Sequence, residues 1–172
     1  MVLYGGDSTE ADVAHAAKVH VLELVNDTWA LVRLWDGGAP ADVSTLLRSI
    51  FTSVSLASCC VARDRLWLCG GTSLLGAPGG VYSVQLGDNA QWAVAENPSR
   101  TWTSRYAAAS CVLADRYLVL VGGTKTLKAR DLDDALAYSS DVRVLDVDAT
   151  LKNNGTAIWL DLKHHGTTLL PR

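Results

Sequence analysis

The chain has 172 residues, 49% of them apolar and 19% charged, with a formal net charge of −3. That apolar share can bury a sizeable core and excludes a disordered chain, while a negative balance with no basic stripe excludes a phosphate-binding surface for nucleic acid. No stretch approaches the roughly 18 consecutive apolar residues of a membrane span. Met1 leads directly into a strand pattern with no basic leader, so the expectation is a cytoplasmic protein with no nucleic-acid and no membrane partner.

In chain order, the first apolar run is Val2-Leu3-Tyr4 and it closes on Gly5-Gly6. An alternating run, Val19-His20-Val21-Leu22-Glu23-Leu24, follows, and Trp29 opens a further strand. The segment from Leu34 onward breaks the pattern. Pro40 near a start, Asp42 as a cap, and Leu46, Leu47 and Ile50 at helical spacing predict a short helix within a linker over 34–55.

The same order of elements then returns twice. Residues 57–62 form a strand with a turn at Arg63-Asp64, Leu66-Trp67-Leu68-Cys69 closes on Gly70-Gly71, Val81-Tyr82-Ser83-Val84-Gln85-Leu86 alternates, and Trp92 opens a strand. Residues 107–114 are the next first strand, with a turn at Ala114-Asp115; Leu118-Val119-Leu120-Val121 closes on Gly122-Gly123, Val142-Arg143-Val144-Leu145-Asp146-Val147 reads as the third strand, and Trp159 opens the fourth. Glycine after such a strand allows a positive φ or a close backbone approach. Runs such as Cys59-Cys60-Val61 and Leu118-Val119-Leu120-Val121 are near-continuous in apolar residues, which predicts strands covered on both faces.

A period of roughly 50 to 65 residues, all strand, is a repeat architecture. The units span about 1–33, 56–95 and 105–162 of one domain over 1–172. Trp92 to Arg105 is 13 residues and Trp159 to Arg172 is again 13, so the chain stops where a fourth unit would start. No strand precedes Val2, so the first unit is incomplete.

Three Gly-Gly and Trp pairs in phase, Gly5-Gly6 with Trp29, Gly70-Gly71 with Trp92, and Gly122-Gly123 with Trp159, resemble the kelch repeat of the galactose-oxidase central-domain-like superfamily. The resemblance implies an all-β fold: a partial kelch β-propeller of about three four-stranded blades in an open arc, the first blade incomplete. In that pattern an aromatic of the third strand packs on the Trp of the fourth, as Tyr82 would on Trp92. His20 and Arg143 hold the matching positions, and Arg143 over Trp159 would be a cation–π pair of about 0.5–1 kcal/mol.

The family's prevailing role implies a non-catalytic protein-interaction platform, or a fragment of one, with a protein partner and no cofactor. The open ends imply self-association or the remaining blades of a longer chain, since terminal blades expose apolar faces and the first leaves a strand edge unpaired. The alternative from the same resemblance is a catalytic propeller of the galactose-oxidase or sugar-mutarotase type. No G-x-S-x-G, P-loop, dinucleotide or H-E-x-x-H motif occurs.

The expected contact surface is the loop over 124–140, where Lys125, Lys128 and Arg130 are followed by Asp131, Asp133 and Asp134. Mixed charge there reads as a solvated loop, with a helical turn expected over 131–138. The cysteines Cys59, Cys60, Cys69 and Cys111 match neither a C-x-x-C motif nor a zinc framework and read as reduced, buried packing residues. His164-His165 with Asp161 reads as an exposed polar loop, and Asn154-Gly155-Thr156 as a turn before the Trp159 strand.

Overall fold

The computed structural model describes residues 2–4, 19–25, 28–35, 56–71, 80–86, 92–95, 105–125, 138–154, 156–160 and 162. The fold is all-β. Among the described residues the strands form three antiparallel sheets, each a meander in chain order. Sheet one holds β1 (Val2–Tyr4), β2 (Val19–Val25) and β3 (Thr28–Trp35); sheet two holds β4 (Ser58–Ala62), β5 (Arg65–Cys69), β6 (Val81–Gln85) and β7 (Trp92–Ala95). Sheet three holds β8 (Ala109–Leu113), β9 (Tyr117–Val121), β10 (Val142–Asp146) and β11 (Trp159–Leu160), with a helix α1 (Val147–Lys152) between its last two strands.

The repeat seen in the residues is also a repeat of register. Tyr4 faces Val19, Cys69 faces Val81, and Val121 faces Val142, so in each sheet the last residue before the Gly-Gly pair meets the first of the next strand. Trp92 faces Val84 and Trp159 faces Leu145 at matching positions, while in sheet one a bulge between Val21 and Leu22 places Trp29 opposite Leu24. A one-residue slip would turn every side chain to the other face, so the shared register means that equivalent residues share equivalent faces.

Sheets two and three pack face to face. Ala62, Trp67, Cys69, Val81 and Ala95 of one meet Leu118, Leu120, Leu145, Val147 and Ala157 on the other side, with Cys60, Val112 and Trp159 packed around them. Burial of this apolar area, at about 25 cal/mol per Å², is what holds the two sheets together. Trp67 satisfies its buried indole by donating to the Ala62 carbonyl at 3.1 Å. The sheets approach most closely at their first strands, where β4 packs on β8 and β9. Polar bonds cross there: Ser58 Oγ donates to the Ala108 carbonyl at 2.7 Å, Ala107 N–H to the Leu56 carbonyl at 2.8 Å, and Ser110 Oγ to the Cys59 carbonyl at 3.3 Å.

The hairpin turns behave as expected from their residues. Arg63 and Asp64 both take φ of 53°, the mirror-image turn that matches strand twist in a two-residue hairpin. Ala114 and Asp115 do the same at 52° and 51°, but here Arg116 is added to the turn.

Several expectations are corrected. β4 is not covered on both faces: Cys59 is exposed and Val61 is 42% exposed, because the atoms that bury Ser58 and Ala62 lie on one side only. Of the four thiols, all reduced, only Cys69 is fully buried; Cys60 is half-buried and Cys59 and Cys111 are exposed. The third strand of unit three stops at Asp146, not Val147, because the Asp146 carboxylate accepts the Ala149 N–H at 3.0 Å and caps α1. Val147 and Thr150 on α1 are buried, and Thr150 Oγ1 accepts the Ile158 N–H at 3.0 Å, tying the helix to the approach of β11. Tyr138 is extended and bridges to Thr124, so it does not end a helical turn. β3 runs through Trp35, two residues into the segment read as linker; the short helix expected over 34–55 lies otherwise outside the described residues. Asn153 and Asn154 form the turn expected before β11.

Candidate functional site

Two polar constellations lie where units meet. The first centres on Arg105, which precedes β8 and is 4% exposed. Its carbonyl accepts the Gly71 N–H at 2.8 Å from sheet two, while its own side chain reaches into sheet three. There Nη1 donates to the Gly122 carbonyl at 3.2 Å and Nη2 to Asp141 Oδ2 at 2.5 Å. Arg143 adds Nε at 3.1 Å to the same oxygen. Hydrogen bonding from Arg105, ahead of the partial burial that opposes it, holds the Asp141 carboxyl down at about 2, against an ordinary 3.8.

The two described glycine pairs make room for this node. Gly70 and Gly71 have φ of 72° and 84°, and Gly122 and Gly123 have 70° and 87°, so both pairs adopt the left-handed conformation that side chains resist. A Cβ on Gly70 would strike the Arg105 carbonyl oxygen, and one on Gly123 would sit 2.9 Å from the Tyr106 carbonyl oxygen. Gly5 and Gly6 lie outside the described residues.

The base of the 124–140 loop is fixed beside this node. Tyr106 and Thr124 exchange two backbone hydrogen bonds at 2.9 Å, and Ser139 N–H donates to the Gly123 carbonyl at 2.9 Å. Thr124 and Ser139 are buried and Lys125 is exposed. Lys128, Arg130, Asp131, Asp133 and Asp134 lie outside the described residues.

The second constellation sits at the hairpin rim and was not foreseen. Arg63 of sheet two donates Nε and Nη2 to the two oxygens of Asp148 on α1, at 2.8 and 2.9 Å, and its backbone N–H to Asp115 Oδ1 at 3.0 Å. Arg116 makes the matching fork to Asp146 at 3.1 and 2.6 Å while lying 4.9 Å over the Tyr117 ring. Arginine hydrogen bonds therefore hold Asp146 and Asp148 below the ordinary carboxyl range. Asp115 and Asp148 are spaced as plain turn and helix residues, so nothing in the sequence signals that one arginine gathers both.

Of the aromatic positions, Tyr82 is 4% exposed and its ring folds back over Gly80, where an added Cβ would meet Cζ and Oη at 2.6 Å. Burial pushes its phenol up to about 12. Tyr82 faces Val94 and Val84 faces Trp92, so Tyr82 and Trp92 stand diagonally on one face of neighbouring strands. The side chains of Trp29 and Trp92 lie outside the described residues. Trp159 is half-buried against the shared core. His20 faces Leu3 and Leu34, and Arg143 commits its guanidinium to Asp141.

Chemically, Asp141, Asp146 and Asp148 are arginine-paired and held ionised, which makes them poor proton donors near neutral pH. Among the described residues no group of three metal-ligating side chains gathers. His164, His165 and Asp161 lie outside them. Among the described residues, too, no helix is long and apolar enough to cross a membrane.

No protein-family model matches the chain, and no curated protein is similar to it. The kelch resemblance therefore rests on the residue pattern alone.

Proposed function

We propose that the chain is an arc of a kelch-type β-propeller whose units serve as a rigid, non-catalytic platform for a protein partner. The observation that carries this reading is the register shared by all three meanders across the strands that flank the Gly-Gly position, with Gly-Gly pairs at positive φ wherever they are described. The close approach of β4 to β8 supports it, since blades arranged around an axis converge at their innermost strands. Junctions rich in paired charge and bound backbone make a stiff frame, and a stiff frame is what a loop-borne binding site requires.

The loop over 124–140 is the contact site in this reading, because its two ends are pinned by Thr124 and Ser139 while Lys125 stands in solvent. The partly covered face of sheet three, where Val144 is buried but Leu113 is 56% and Leu160 36% exposed, receives another blade, from a second copy or from a longer chain. The test replaces residues 126–137 by a short Gly-Ser connection. Unchanged melting temperature with loss of binding to an identified partner is the expected result. Unfolding would make the segment structural, and undiminished binding would move the contact site elsewhere.

A further inference from the structure

We draw no further inference here: the strongest candidate, the partly covered face of sheet three on which Cys111 and Leu160 stand exposed beside the buried Val144, carries nothing, because nothing in the structure shows what covers it.

Discussion

Sheets two and three are copies in pattern and register, yet they are buried differently. In β5 Leu66, Trp67 and Leu68 are each 1% exposed, so both faces of the strand are covered. In β9 Leu118 and Leu120 are buried at 1% and 3%, while Val119 between them and Val121 after them are only half-buried. The two strands are about equally apolar, so the difference comes from neighbours. Sheet two has sheet three against one face and a cover on the other, whereas the sheet-three face bearing Cys111, Val119 and Leu160 is covered only in part: Val144 on it is buried, while Cys111 and Leu160 are exposed.

That contrast can be broken most forcefully at Trp67. Trp67→Ala removes the largest fully buried side chain among the described residues and should cost about 3–5 kcal/mol in urea unfolding, whereas Val119→Ala, at the matching register position, should cost about 1 kcal/mol or less. Equal losses would mean that both faces of sheet three are covered in solution.

Next in size is the glycine junction. Gly70→Ala places a side chain at φ of 72° and against the Arg105 carbonyl, and should destabilise by about 2 kcal/mol or more. Ala at Gly80 meets only the Tyr82 ring and should be milder if that ring can swing aside. A neutral Gly70→Ala would contradict the Gly71 to Arg105 contact.

Smaller again is the buried arginine node. The folded carboxyl of Asp141 sits at about 2, below the ordinary 3.8, so its contribution is present above the unfolded value and is lost as pH falls from about 4 toward 2. Because 34% of that side chain is exposed, solvent screening trims the effect to about 1–2 kcal/mol. Asp141→Asn should flatten this acid limb of the stability curve. A limb unchanged in Asp141→Asn would assign it to other carboxylates.

The rim clasp should matter least. Arg63 and Asp148 form a forked pair in solvent, so Arg63→Ala should lower the melting temperature only slightly, and less in high salt than in low. A large, salt-independent loss would show that the clasp, and not the apolar interface, holds sheets two and three together.

Local pattern was enough for the strands. Period-two alternation at Val81–Gln85, apolar runs closing on Gly-Gly, and the short turn at Arg63-Asp64 foretold element type and order, because each depends on a residue's own φ preferences and on its nearest partners. The helix α1 escaped the reading because it is only six residues long and begins with the Asp146 cap inside an apparent strand run. In the sequence Arg105 is marked only by phase, as the residue 13 positions after Trp92. Its bonds to Gly71, Gly122 and Asp141 join segments far apart in the chain.

By itself the sequence determined an all-β chain of repeated meanders with glycines at the ends of the second strands, since propensity, turn chemistry and pairing register are local. Which apolar residues lie in a core and which face solvent was decided only by the tertiary structure. Cys59 and Cys60 are chemically the same and adjacent, and one is exposed while the other packs against the core. The pleat sends them to opposite faces, and only the arrangement of sheets determines which face is covered.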